Sequence, residues 1–361
     1  MAPLTKRLPR QLKNNWTRYL ALFLMFIFFV GICAGFKAAC TSMQKISSEE
    51  RDTYVVEDGR FTSNFQISGD VIDKVEAKGV KVSELFSLET SATYETGNNG
   101  CDFRVYKDRT DVDLLAYHEG TAPKASDEIV LDRNFCVSNE ISIGDKITVE
   151  GVDYKVVGIV SSPDNVMLFK NTSDMMGNSI SFGMGWVASD GFDNIRSAGA
   201  NISYNYAFVC NDRSLSSSDR IDLETEISDV LTDEKVTLSS FLDCDSNSGI
   251  TFAKDDFEGD SAIMDAMLII IVVLFAFIFA VLIGSTIDGE SAVIGTLMAS
   301  GYRKGEILRH YMVLPTLTGL FGTLFGNLFG YTACIGYVAS LYYTSYSLPP
   351  FEVTFDWGVF L

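Results

Sequence analysis

Histidine is almost missing from this chain: 361 residues hold two, His118 and His310, far apart in sequence. No GxSxG elbow accompanies His118, whose neighbours are Tyr117 and Glu119. A Ser/His/Asp or Cys/His nucleophilic site therefore has no support, and His118 reads as an exposed loop histidine. The phosphate loop GxxxxGK[ST] is also missing. The nearest basic-glycine cluster, Gly301-Tyr302-Arg303-Lys304-Gly305, lacks both its spacing and its hydroxyl, so the chain does not bind ATP in that way. No CxxC pair occurs among the seven cysteines. Cys33 and Cys334 lie in apolar blocks, and the other five (Cys40, Cys101, Cys136, Cys210, Cys244) are widely spaced and odd in number, which signals neither a disulfide framework nor a zinc site. Asp108, Asp111 and Asp113 match no calcium loop and read as a solvated acidic face. Neither a metal nor a cofactor is expected. Between Lys37 and Asp260 there are 20 Lys+Arg against 41 Asp+Glu, so the basic footprint that nucleic acid requires is lacking as well.

What the chain has is apolar blocks. Tyr19 to Phe36 runs eighteen residues without a charge, behind Trp16 and the basic residues Lys6, Arg7, Arg10, Lys13 and Arg18. The run is longer than a signal-peptide core and ends without a small-x-small cleavage pattern; Lys37, three before Cys40, spoils a lipoprotein signal, so the segment reads as a retained anchor. Ile269 to Gly284 is nearly unbroken apolar sequence, and with its flanks supplies the roughly 20 residues that a helix needs to cross a bilayer. The stretch from Asp288 to His310 carries Asp288, Glu290, Arg303, Lys304, Glu306 and Arg309 and must lie at a membrane surface. The third block is punctuated by Gly322, Gly326 and Gly330, a four-residue repeat that opens one helix face for close packing. Asp265, near the outer end of the second block, reads as a hydrated interfacial carboxylate.

The expected fold is a multi-pass α-helical membrane protein with a large extracytoplasmic α+β domain. Its parts are a basic cytoplasmic tail (1–18), a first span (19–36), the outer domain (37–260), a second span (264–287), a cytoplasmic loop (288–310), a third span (311–342), an outer loop (343–356) and the start of a fourth span (357–361). The charge asymmetry sets the orientation, with the basic tail inside and the acidic domain outside. Within that domain, strand patterns at Arg60 to Ile67, Val80 to Tyr94 and Asp102 to Tyr106 flank a helix from Asp70 to Ala77. Ser203 to Cys210, a helix capped near Ser216 with Ile221, Leu223, Ile227, Val230 and Leu231 on one side, and Lys235 to Leu242 complete a β-α-β layer. A β-rich subdomain, about 116–200, is inserted between its halves. It includes a hairpin of Lys146 to Val149 and Tyr154 to Val160 across Glu150-Gly151, and the glycine-rich Asn171 to Gly199 is expected as loops.

Two stretches resemble a known family. Glu290 to Tyr311 (ESAVIGTLMASGYRKGEILRHY) and the DEIVLD, GDKITV and YKVVGIVSSPD pieces of Asp127 to Asp164 are similar to the FtsX/MacB-type permeases, the type VII ABC-transporter membrane subunits. Members have at least a fourth span, and many carry a second module, so the resemblance implies that this sequence is the front portion of a longer permease. It further implies a subunit that is not an enzyme, whose cytoplasmic loop engages a separate ABC ATPase while the outer domain moves for export, extraction or force transmission. Membrane lipids and a second permease module, in the same chain or in a dimer, are the other partners, and a bacterial plasma membrane is the location. Ile294, Leu297 and Met298 would form the apolar side of the coupling loop, with Glu290, Arg303, Lys304 and Glu306 available to the partner and Gly301 breaking the helix. The alternatives are a membrane-anchored receptor or cell-envelope binding protein without an ATPase and, with less support, a tethered hydrolase.

Overall fold

Polarity divides the chain into two compact units. One is helical (Met1–Met43, Phe257–Ser340, Val353–Leu361) and the other is α+β (Gln44–Asp256, Leu341–Glu352). The computed structural model describes residues 7–94, 100–171, 174 and 176–360, so Lys6 of the basic tail and Leu361 of the expected fourth span lie outside the described residues. In chain order the elements are α1 (Leu8–Asn14), α2 (Trp16–Thr53), β1 (Gly59–Ser63), α3 (Gly69–Glu76), β2 (Val80–Glu84), β3 (Ser87–Tyr94), β4 (Cys101–Lys107), β5 (Ala116–Gly120), β6 (Glu128–Asp132) and α4 (Arg133–Ser138). Next come β7 (Lys146–Val149), β8 (Val152–Ser161), β9 (Phe182–Val187), α5 (Ser189–Ala198), β10 (Asn201–Cys210), α6 (Ser217–Asp233) and β11 (Leu238–Asp243). The last are α7 (Ser248–Gly289), α8 (Ser291–Ala299), α9 (Lys304–Phe329), a π turn (Gly330–Cys334), α10 (Ile335–Ser345) and α11 (Trp357–Phe360).

Three helical stretches in the described residues are long and apolar enough to cross a membrane: Trp16–Thr53, Ser248–Gly289 and Lys304–Ser345. Phe26 of α2 stacks on Phe275 of α7 at 3.9 Å between ring centroids, and Cys33, Ile271 and Phe275 are buried there together. The remaining faces of α7 expose Ile269, Val272, Val273 and Phe277, which suits a helix bathed in lipid. Asp265, expected as a merely hydrated carboxylate, is ion-paired with Lys37. Pro315 sits inside α9, where it removes one backbone donor and loosens the helix locally.

In the α+β unit, β11-β1-β10-β2 form an antiparallel layer, with β1 between β11 and β10 and β2 on the far side of β10. Ser216 caps α6 by accepting from the Asp219 amide, and Ile227 and Leu231 are fully buried while Ile221 at the same helix is exposed. Inserted between β2 and β10, strands β3, β4, β9, β6, β8 and β7 pair in that order, and β7 closes back on β3. The insertion is thus a closed six-stranded barrel, which leaves no free edge within the ring. The β7–β8 hairpin turns through Glu150 (φ 48°) and Gly151 (φ 77°), the left-handed pair of a tight hairpin turn.

The expectation of loops throughout Asn171 to Gly199 is wrong: the stretch contains β9 and α5. The glycines there make room for neighbouring side chains. A Cβ on Gly183 would lie 2.7 Å from the Phe135 ring and 2.8 Å from that of Phe103, and one on Gly185 would lie 2.8 Å from Ile129. His118 is likewise no exposed loop residue. It lies on β5, half-buried, with Nε2 3.3 Å from the Ser161 hydroxyl. Burial, with the neighbouring Arg133 charge, holds its pKa below the ordinary histidine value.

Candidate functional site

In the helical unit, the polar stretch after α7 folds back as a helix, a tight stop and a restart. α8 ends in a Schellman motif, in which Gly301 takes φ 93°, its amide donates to Met298 O (3.0 Å) and the Tyr302 amide donates to Leu297 O (3.2 Å). α9 restarts with the Glu306 carboxylate accepting from the Arg303 amide (2.9 Å). Between the two helices opens an apolar groove of about 430 Å³, lined by Ile294 and Met298 of α8, Ile287 of α7, and Ile307, Leu308 and Tyr311 of α9, with Lys304 and Gly305 at its edge. Arg303, Lys304 and Arg309 are exposed nearby on the same restart.

This geometry sorts the residues singled out from the sequence. Ile294, Met298 and Lys304 meet in the groove, whereas Leu297 is half-buried outside its lining. Glu290 is engaged within the unit: it accepts from the Tyr311 hydroxyl (2.6 Å) and faces Arg7 (3.5 Å). Glu306 is occupied in starting α9, and Gly301 in ending α8. Ile287, Ile307, Leu308 and Tyr311 were missed. They belong to the flanking helices, and only the fold-back brings them beside α8.

Gly322, Gly326 and Gly330 all face α2. Cβ atoms built on them would lie 2.5 Å from Phe26 Cβ, 3.0 Å from Val30 Cβ and 2.8 Å from Gly31 O respectively. α2 brings its own glycines to the crossing, since a Cβ on Gly35 would meet Cys334 Cβ at 2.4 Å and Gly330 O at 3.0 Å. Gly31 and Gly35 form a short GxxxG step that the reading of the first span overlooked. The π turn begins at this crossing, at Gly330.

Among the described residues no group of three or more metal-ligating side chains converges. The charged cluster buried in the α+β unit is internally matched instead. Arg60 and Arg109 both bond Asp164, and Arg60 also bonds Glu57 (2.7 Å). Burial works against ionising Asp164, but the Arg109 and Arg60 guanidiniums overcome it and hold the carboxyl below the usual range. Burial, then the Glu57 and Asp164 charges, pushes Asp113 well above that range.

Long apolar helices with a folded-back polar loop, and a large α+β unit, define a multi-pass membrane protein. Residues 266–361 match the family profile FtsX-like permease C-terminal, and this part of the chain is a domain of that family. FtsX-like permeases are membrane components of ABC transporters that work with a cytoplasmic ATPase. Among solved structures, the extracellular domain of the noncanonic ABC-type transporter YknZ from Gram-positive bacteria aligns with 51% of this chain and 100% of its own, at 12% identity and a TM-score of 0.32. The periplasmic region of MacB from Actinobacillus actinomycetemcomitans aligns with 50% of this chain and 87% of its own, at 11% identity and a TM-score of 0.32. These likenesses are faint, and the family match carries the assignment. No curated protein sequence matches the chain.

Proposed function

We propose that the chain is the permease subunit of an ABC transporter, in which a separate cytoplasmic ATPase docks on the groove between α8 and α9 and its cycle drives movement of the α+β unit on the opposite side of the membrane. Hydrolysis belongs to the partner; the permease supplies the path of force. The observation that carries this reading is the groove itself: an apolar slot with exposed Lys304 in its lining, inside the segment that matches the permease family. An apolar helix-in-groove contact supplies affinity, and the Lys304 charge steers the partner. Exposed Arg10 and Lys13 of α1 add to the positive character expected of a cytoplasmic face and suit anionic lipid headgroups. The acidic α+β unit fits the outer side.

The test is co-purification of the full chain from its native membrane with an ABC ATPase. Ile294→Asp would put a charge into a desolvated contact, at a cost of several kcal/mol. The expected result is loss of at least tenfold in retained ATPase and in ATP turnover, at unchanged membrane level. Equal retention and turnover for parent and variant would show that the loop merely connects two helices, and absence of any ATPase from the parent would favour a membrane-anchored binding protein.

A further inference from the structure

Three stretches of the α+β unit lie next to the places where the chain passes to or from the helical unit: the segment after α2, the start of α7, and the segment 341–352 beyond the third span. All three meet one short loop, Ser162 to Val166. From the first, Arg60 donates to Asp164 Oδ2 (2.6 Å), and Arg60 in turn is bonded to Glu57. From the second, the Val166 amide donates to Gly249 O (2.8 Å), and Asn247 reaches Glu57 (3.1 Å). From the third, the Ser347 amide donates to Val166 O (2.7 Å), while its hydroxyl donates to Asp132 (2.7 Å).

The loop is held stiffly from behind. Arg109 clamps both oxygens of Asp164 (2.5 and 3.1 Å) and donates to the Ser162 hydroxyl (2.8 Å). Glu57, Arg109, Ser162, Asp164, Asn247 and Ser347 are all buried. The start of α7 presses so closely that a Cβ on Gly249 would lie 2.4 Å from the Asp164 carbonyl oxygen. Val166 is the pivot, because its amide serves one stretch and its carbonyl another. A buried charge-assisted clamp of this kind resists local deformation.

We infer that Ser162 to Val166 is a transmission node, and that Asp164, Arg109 and Gly249 are positioning residues through which displacement of any one of the three stretches is passed to the other two. The inference rests on the proposed movement of the α+β unit for its purpose, but its physical content is a coupling free energy within that unit. Such coupling is reciprocal by thermodynamic necessity, so a change made in one stretch must show in the others, and the reverse.

The experiment is amide hydrogen exchange on the full chain in lipid nanodiscs, without any ATPase, so that its outcome is independent of ATPase docking. Gly249→Ala should force the start of α7 off Asp164 and raise exchange at least fivefold in 347–350, clear of Tyr346, which α7 meets directly through Phe252 and Asp256. Ser347→Pro removes the amide hydrogen bond to Val166 O together with the hydroxyl bond to Asp132, and should raise exchange at least fivefold in 247–251, whereas Ser347→Ala, which loses only the hydroxyl bond, should not. Amides of β4 serve as the folding control and should be unchanged throughout. Each variant raising exchange only in its own stretch would overturn the node. Should Gly249→Ala also loosen β4, the decision passes to Ser347→Pro, which alters no residue of the sheet. Unchanged exchange in 247–251 in that variant would overturn the proposal.

Discussion

Asp132 shows how one carboxylate can serve two neighbours. Its Oδ1 caps α4 by accepting from the Asn134 (2.8 Å) and Phe135 (3.1 Å) amides, while Oδ2 accepts from the Ser347 hydroxyl. Burial raises its pKa to about 6, partly offset by those bonds. A folded-state pKa above the unfolded value means that the fold favours the neutral carboxyl. That contribution is complete below the unfolded pKa, near 4, and is lost as pH rises through about 6. Asp132→Asn keeps the cap and carries no charge. The variant should therefore match the parent at pH 4 and melt several degrees higher at pH 8, for a shift worth about 3 kcal/mol. Thermal unfolding of the full chain, followed by Trp186 fluorescence in a Trp16→Phe, Trp357→Phe background, measures this, and a difference independent of pH would refute it. None of it was legible in the sequence, where Asp132 is only the last letter of DEIVLD. The pairing with Ser347 joins residues 215 apart. Glu290 is the converse case: its charge was visible, but its engagement with Tyr311 appears only once α9 has folded back beside it.

At the scale of elements, period and turn chemistry located much of what exists. β7, the Glu150-Gly151 hairpin, the capped α6 and the break at Gly301 all lie where local rules put them. The failures have a common cause, which is tertiary override of local propensity. β9 has two glycines among six residues and is a poor strand by propensity, yet the barrel interior requires them for Phe103, Phe135 and Ile129 to close in. The Gly330 crossing yields a prediction of the same kind. Gly330→Ala would drive a methyl against the Gly31 carbonyl oxygen at 2.8 Å and the Gly35 nitrogen at 2.8 Å, backbone atoms with little room to yield. Gly336→Ala, with nothing within 4 Å, meets no obstacle. In detergent, the first variant should lower the melting temperature of the helical unit by 5 °C or more on the ordinary scale of overpacking, and the second should leave it unchanged or slightly raised. Equal melting of the two variants would mean that the α2–α9 contact is not close-packed.

For the whole molecule, the division into apolar spans and an acidic α+β domain was legible because bilayers impose long uncharged runs and water does not. The barrel closure and the convergence on Ser162 to Val166 were not, since the ring is closed by β3–β7 pairs such as Ala92 with Val149, and the loop meets Arg60, Gly249 and Ser347, all remote in sequence. In the proposed mechanism an ABC ATPase occupies the groove between α8 and α9. Site-specific photo-crosslinking in the native membrane, with the ABC ATPase that co-purifies with the chain, measures this. One reactive side chain replaces Met298 at the groove, and another replaces Val273, which is exposed on the apolar face of α7. An adduct of permease plus ATPase from position 298 and none from position 273 is the predicted result. No ATPase adduct from position 298, with the two proteins still co-purifying, would place the contact elsewhere and contradict the account.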